Sequence, residues 1–514
     1  MEKEATESEK KHRSRHRRPR PCRRCDNPAT KTDATIATEE KELHIAPMLD
    51  YSKREFRKLF SILSTKLVLW TDMIVDDTIL HSDKLQDVLG GDPDLPNVQI
   101  CQIGGNDPSS CARATSILLD KSETTTTTTT ATTATANDNG CSYRDIYQEI
   151  NLNVDCPSPK VSCEREFGAV LMKKVDLTYR ILESMQQQQQ PCYNNHDNDD
   201  DYEVVPISIK CRVGVDDWDD LEFLEAFIER LRPVCQRFVL HARTCILDGL
   251  VTARQNRSIP PLNFPRVYDV CRRFPDCDFW INGGIRTLSH AKSIVMDDGM
   301  VVVEEEDNDG GTNNNKRVHR VPCSICNLPY GSCTAPPTRR IPSNLRGVMM
   351  GRAAIDNPAL FADVDRYFYG LDSNPCQTRR QVLERYIEYL ETLYPRRCCD
   401  DDCRITYRLP VPENIEPISK YCPICDPTTS NDDVETEYDN GNEPQLKITS
   451  KIIGRALKPV RGLFYGMPKG KKFIQALEHA NNKRLRNCGP GFILKTAMNS
   501  MPGKLLDQEF ATTH

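Results

Sequence analysis

Eight short apolar runs recur along the chain, each about a strand long: LHIA (43–46), LVLW (67–70), VQICQI (98–103), INLNV (150–154), ISIKC (207–211), FVLHA (238–242), FWIN (279–282) and VMM (348–350). Runs with little polar alternation read as strands covered on both faces, the habit of parallel sheets. Between most of them the apolar spacing turns helical, as in Leu221–Leu231 (LEFLEAFIERL) and Val267–Phe274. Alternating strands and helices predict an α/β fold with a parallel sheet, and eight such strands suit a closed (β/α)8 TIM barrel. A doubly wound open sheet is the alternative, but no GxGxxG follows the first strand. Helical spacing returns at Arg379–Tyr394 and across Ile448–Lys483, which predicts a C-terminal helical domain.

Other stretches carry neither period. Threonine runs, glutamine runs and Asp/Asn-rich segments bury too little apolar surface to offset ordering entropy, so they read as low-complexity insertions. The expected organisation is a tail at 1–41 and a barrel at 42–370, with insertions near 121–141, 186–205 and 304–344. A helical domain at 371–399 and 446–490 is split by an acidic, Cys- and Pro-rich insertion at 400–445. Residues 491–514 are expected to form a second tail.

The chain has 514 residues and a formal charge of −6, which at first speaks against a nucleic-acid partner. Its location changes that reading. Residues 186–206 carry −5 and residues 400–447 carry −8, so the remainder is +7. Residues 448–475 hold seven bases (Lys451, Arg455, Lys458, Arg461, Lys469, Lys471 and Lys472) and no acid. A solvated helix face is the plain reading of such a run, and a phosphate-backbone surface is the sharper one. No apolar stretch approaches the ~20 residues of a membrane span. The charged start MEKEATESEK is not a secretory leader, so the 23 cysteines are expected as free thiols in a reducing compartment.

Polar residues gather at the strand ends. Strand 1 runs into Ala46-Pro47-Met48, strand 3 into Gly104-Gly105, and strand 4 into Asp155-Cys156-Pro157. Strand 5 carries Lys210 and Arg212, strand 6 His241 and Arg243, strand 7 ends in Asn282-Gly283-Gly284, and strand 8 in Gly351-Arg352. In a TIM barrel these C-terminal ends form the active site, and the loops after strands 7 and 8 commonly hold a phosphate. Glycines there let backbone N–H groups approach it closely.

At these residues the chain resembles the tRNA-dihydrouridine synthases, FMN-dependent barrels, and most closely the bacterial A-type (20/20a) subfamily. The resemblance runs through HIAPMLDYSKREFRKLF, QIGG, EINLNVDCPSPKV, FGAVLM, IKCRVGVDD, FVLHART, IPPLNFPRVYDV, WINGGI, VMMGRAAIDNP and GLFYGMPKGKKF. It implies an oxidoreductase that reduces a tRNA D-loop uridine, at position 20 or its neighbour, to 5,6-dihydrouridine with NADPH. It also implies that Pro47, Met48, Leu49, Gln102, Lys210, His241, Asn282, Gly283, Gly284, Gly351 and Arg352 hold FMN. Cys156 is then the catalytic acid that protonates uracil C5 after hydride reaches C6; a thiol with a pKa near ~8.5 is mostly protonated at neutral pH. Asn153, Arg254, Arg257 and Lys471 are implied to contact tRNA. Lysine at 471 replaces a family arginine, and it keeps the charge but loses the bidentate fork.

The family usually has glycine before the catalytic cysteine, where this chain has Asp155. We expect Asp155 to turn to solvent and activity to be retained, which comparison with Asp155→Gly in a dihydrouridine assay tests. Three CxxC pairs, Cys22–Cys25, Cys323–Cys326 and Cys422–Cys425, have zinc-ligand spacing but lie in the insertions and tail, so no metal is expected. Two further function classes stay open: a small-molecule FMN oxidoreductase of the dihydropyrimidine or dihydroorotate type, and a non-catalytic RNA-binding barrel. The first lacks a use for the basic C-terminal segment, and the second lacks a use for Cys156. A monomer without membrane contact is expected, intracellular and chiefly cytoplasmic. The basic run Lys10–Arg24 leaves nuclear or organellar sites open, although the early acids disfavour a transit peptide.

Overall fold

The computed structural model describes residues 40–119, 142–162, 164–189, 204–249, 252–296, 341–394, 449–481 and 489–510, together with a two-stranded antiparallel ribbon at 303–304 and 318–319. The three CxxC pairs and the run Lys10–Arg24 lie outside these residues. Eight strands form the centre: β1 Glu42–Ile45, β2 Val68–Trp70, β3 Gln99–Gly104, β4 Glu149–Val154, β5 Ile207–Arg212, β6 Arg237–His241, β7 Asp278–Asn282 and β8 Leu345–Met350. Each pairs in parallel with its sequence neighbours, β3 returns to β2, and β8 pairs with β1. The sheet therefore closes, as the eight apolar runs predict. A further two-residue strand, Ile74–Val75, pairs with the end of β3; it is too short to leave a pattern.

Alternate residues of each strand point into the barrel, and they form three layers. At the N-terminal end His44 Nε2 meets Glu42 Oε2 at 2.8 Å, Trp280 Nε1 donates to the same oxygen at 2.9 Å, and Trp70 Nε1 donates to His44 Nδ1 at 3.2 Å. Arg237 joins this layer through Glu149 at 2.7 Å. Above it Val68, Trp70, Ile100, Val239, Trp280 and Met349 pack as one apolar plug. The third layer, at the C-terminal ends, is polar: Gln102, Asn151, Asn153, Lys210, Arg212, His241 and Asn282.

The helices follow from their apolar stripes and caps. They are α1 Arg54–Leu63, α2 Asp76–His81, α3 Pro108–Leu119, α4 Val175–Gln187, α5 Leu221–Leu231, α6 Phe264–Arg273 and α7 Leu288–Val295 around the barrel. In α5, Leu224, Phe227, Ile228 and Leu231 repeat at helical spacing and are buried, while the Asp220 side chain accepts from Phe223 N. α4 extends through Gln186 and Gln187, so the first glutamines of the expected insertion belong to a barrel helix.

Beyond the barrel come α8 Arg379–Leu393, opened by a Thr378–Gln381 capping box, α9 Ser450–Leu457, α10 Gly470–Ala480 and α11 Gly489–Asn499. α11 corrects the expectation of a tail at 491–514. Its Ile493, Leu494, Ala497 and Met498 are buried, it packs on α8, and Asp507 beyond it pairs with Arg380. The Gly489-Pro490-Gly491 start reads as a turn and conceals the short apolar stripe behind it. The helices dock on α1 through a buried cluster in which Arg455 Nε meets Glu55 Oε1 at 2.7 Å and Tyr394 donates to the same carboxylate. Lys458 reaches the loop after β1, donating to Asp50 O at 3.0 Å and lying 3.5 Å from the Tyr51 ring centre. No helix among the described residues is long and apolar enough to cross a membrane.

Candidate active site

A ladder of amides crosses the upper barrel. Asn151 Nδ2 donates to Ser208 Oγ at 2.7 Å, Gln102 Nε2 to Asn151 Oδ1 at 2.9 Å, and Asn153 Nδ2 to Gln102 Oε1 at 2.9 Å. Each amide uses its donor on one neighbour and its acceptor on the next, so these buried polar groups are paired. Asn153 Oδ1 then accepts from the backbone N–H of Cys156 at 3.1 Å. On its other side the Cys156 carbonyl accepts from Ala169 N at 3.0 Å. The turn that carries Cys156 is thereby fixed to the barrel interior without using the thiol.

Of nine described cysteines, eight are buried and Cys156 alone is partly exposed. Burial pushes its thiol above the ordinary range, a backbone N–H at Ser158 and the Arg212 and Lys210 charges oppose this, and Asp155 adds to it. The thiol is protonated at neutral pH, the form an acid needs.

Asp155 does not turn to solvent. Its side chain is 16% exposed and points inward, where Lys210 Nζ meets one oxygen and Arg212 Nε meets the other at 2.5 Å. His241 Nδ1 lies 3.2 Å from that second oxygen. Two buried cations on one face of β5 attract the carboxylate, and this outweighs its own hydration. Burial alone would raise the Asp155 carboxyl, but Lys210, Arg212 and then His241 hold it well below the carboxylate range. Burial, followed by the Arg212 charge, pushes His241 down to about 3 despite Asp155. His241 is therefore neutral, donating from Nδ1 to Asp155 and leaving Nε2 with a free lone pair.

The ends of β7 and β8 make a different surface. Gly283 and Gly284 have φ of +119° and +69°, and a Cβ on Gly284 would stand 2.3 Å from Leu262 Cδ1. Only glycine takes this turn without strain. Asn282 Nδ2 donates to Met349 O at 2.8 Å, tying the two strand ends together. Beside them a Cβ on Gly351 would lie 3.6 Å from Met48 Sδ, so the ends of β1 and β8 adjoin. Positive charge collects here. Burial, then Arg352 and Arg212, lower Arg243, and burial, then Arg286 and Arg257, lower Arg352. Arg243 donates to Pro260 O, and its Nε is buried with no partner among the described residues. Guanidiniums that depress one another beside a bare backbone turn fit a phosphate.

The residues expected to hold a cofactor thus divide. Gln102, Lys210, His241 and Asn282 share the polar layer, while Met48, Gly283, Gly284, Gly351 and Arg352 stand at its rim. Pro47 is partly exposed, and Leu49 is 66% exposed at the mouth. Arg254 and Arg257 are exposed around a capped turn at Ala253–Asn256, and Arg212 Nη1 reaches Asn256 O at 3.4 Å, linking that turn to the site. Lys471 is exposed on α10, apart from this group. Arg212 and Arg243, read at strand ends but given no role in the expected set, join the site: Arg212 closes β5 two positions after Lys210, and Arg243 lies two residues beyond the end of β6. Among the described residues no cluster of His, Cys, Asp or Glu is arranged to hold a metal ion.

One side of the rim carries a partly exposed thiol and the other a left-handed glycine turn beside arginines, an arrangement at the strand ends where parallel barrels place their active sites. Residues 44–125 and 127–312 match the family model for dihydrouridine synthase, and the chain belongs to that family of oxidoreductases. It is 30% identical to the tRNA-dihydrouridine(20/20a) synthase of Vibrio cholerae over 356 residues, which is 69% of this chain and 81% of that protein. The protein of that name from Synechocystis sp. is 31% identical, over 68% of this chain and 78% of its own. The one from Escherichia coli K12 is 30% identical, over 70% and 81%. These relatives agree with the 20/20a subfamily expected from the motifs.

Proposed function

We propose that this dihydrouridine synthase acts on transfer RNA, reducing D-loop uridines at positions 20 and 20a with FMN as cofactor and NADPH as reductant. The observation that carries the reading is the partly exposed Cys156, next in the chain to the Asp155 carboxylate that Lys210, Arg212 and His241 meet, with the glycine and arginine rim at the ends of β7 and β8. The rim's mutually depressed arginines and its two left-handed glycines suit the FMN phosphate, and Pro47, Met48, Gln102, Lys210, His241 and Asn282 suit the rest of the molecule. When bound, FMN supplies the hydride that reaches uracil C6, and NADPH restores it. Cys156 gives its proton to uracil C5, the carbon left electron-rich. Lys210 would supply positive charge to the flavin ring, where it would favour the reduced, negatively charged form. Asn153 holds the Cys156 turn and offers its amide to the uridine.

A uridine inside the D-loop must leave its stack to reach this depth, so the surrounding backbone has to be gripped. Arg254 and Arg257 are exposed after β6 and Lys471 on α10, the last of these within residues 448–475, which hold seven bases and no acid. Tyr465, 63% exposed in the same segment, adds a surface on which a base can stack. The substrate places the enzyme's work inside the cell. The test is direct: purified protein should be yellow, and with NADPH it should introduce dihydrouridine at 20 and 20a of unmodified tRNA, while Cys156→Ala stays yellow and forms none. A colourless protein that forms no dihydrouridine with added FMN would refute the reading.

A further inference from the structure

Lys210 and Arg212 lie two residues apart on β5, pointing the same way, with side chains 4% and 2% exposed. Two cations buried together repel and are each costly away from water. The Asp155 carboxylate reaches both from the loop after β4, and it also receives the His241 Nδ1–H at 3.2 Å. With the imidazole neutral, two cations and one carboxylate leave a single positive charge. We propose that Asp155 is a positioning residue, an internal counter-ion that limits the positive charge offered to the flavin's pyrimidine edge and fixes the His241 tautomer with Nε2 as acceptor. The inference rests on the flavin reading above. Its consequence is a bound flavin harder to reduce than the same pocket would make without the carboxylate, because positive charge near that edge stabilises negative charge on the reduced ring.

Sulfite is the probe. Its sulfur lone pair forms a bond to flavin N5, the displaced electron pair remains on the ring as negative charge, and no proton or outside electron is required. Affinity for sulfite, read from bleaching of the visible flavin band, therefore reports local positive charge independently of turnover. Asp155→Asn keeps the shape and removes the charge; it should bind sulfite about tenfold more tightly and raise the flavin potential by about 30 mV, the equivalent for a two-electron couple. Asp155→Glu keeps the charge and should remain close to the parent. A carboxylate with only a structural role would lower FMN retention or the melting temperature without separating Asn from Glu in sulfite affinity. Asp155→Ser provides a second neutral variant should the Asn form not fold. Equal sulfite affinity in the parent and the neutral, FMN-loaded variants overturns the proposal. A parent that takes up no FMN is recognised before any sulfite is added, and it overturns the flavin reading together with this one.

Discussion

Replacing Cys156 tests the chemistry most directly. The turn around it is held by backbone groups, the Cys156 N–H on Asn153 Oδ1 at 3.1 Å and the Cys156 carbonyl under Ala169 N at 3.0 Å. Cys156→Ala leaves both bonds in place and removes a side chain that is not fully buried, so stability should change by less than about 1 kcal/mol. What it removes is the proposed proton donor, a role worth about 10²–10⁴ in rate, or about 3–5 kcal/mol at 1.36 kcal/mol per tenfold. Retention of more than about a tenth of the parent rate of dihydrouridine formation, in single turnover with saturating tRNA, would refute the role. The pH profile is a second arm. An acid acts in its protonated form, and burial holds this thiol above its ordinary value. The proton-transfer step should therefore be level through neutrality and fall only as pH rises past the ordinary thiol range near ~8.5. A decline centred below about pH 8 would mean that the thiol is not the donor or that its surroundings stabilise the thiolate.

Three other perturbations follow from the geometry. Arg455→Met strands the fully buried Glu55 carboxylate, which should cost about 3–5 kcal/mol in urea unfolding, while Glu55→Leu with Arg455→Met recovers most of that; simple additivity of the two losses would contradict a coupled pair. Gly284→Val meets Leu262 at a φ of +69° and should be strained by about 1–3 kcal/mol, with a lower melting temperature and FMN lost on gel filtration; unchanged values of both would exclude a conformational role for the glycine. Lys471→Ala should weaken binding of all tRNAs alike and flatten the dependence of log affinity on log salt by about one phosphate contact, roughly 0.7–0.9 in slope; an unchanged slope would remove Lys471 from the interface.

The barrel was legible because its eight strands are covered on both faces, which writes nearly continuous apolar runs into the chain. The helical elements beyond it were legible only in part. Arg379–Leu393 carries 15 residues of clear spacing, but α11 begins in Gly489-Pro490-Gly491, and that local break hides a stripe whose purpose appears only when α8 lies against it. The direction of Asp155 was misread for a related reason. A lone acid in a loop has solvent as its default partner, and only strand pairing brings Lys210, Arg212 and His241, which are 55 to 86 positions away, to one point. Long-range charge compensation leaves no periodic trace.

The layers of the barrel explain why the site residues themselves were nevertheless visible. Side chains alternate along each strand, so the inward positions of β3, β6 and β7 pass from apolar in the middle layer to polar at the C-terminal end: Ile100 then Gln102, Val239 then His241, Trp280 then Asn282. A polar residue two places after an apolar one, at the end of a run otherwise suited to burial, is costly unless it is paired. Here it is paired, by the amide ladder across β3, β4 and β5 and by the Asp155 cluster across β5 and β6. The plug beneath, with Trp70 and Trp280 tied to His44 and Glu42, closes the other end. Polar groups buried above a closed floor face only the mouth, where the exposed bases of the loop after β6 stand. The same alternation that seals the barrel thus fixes which end can meet a substrate, and the basic C-terminal segment, masked in the net charge of −6 by acidic insertions, lies beside that end.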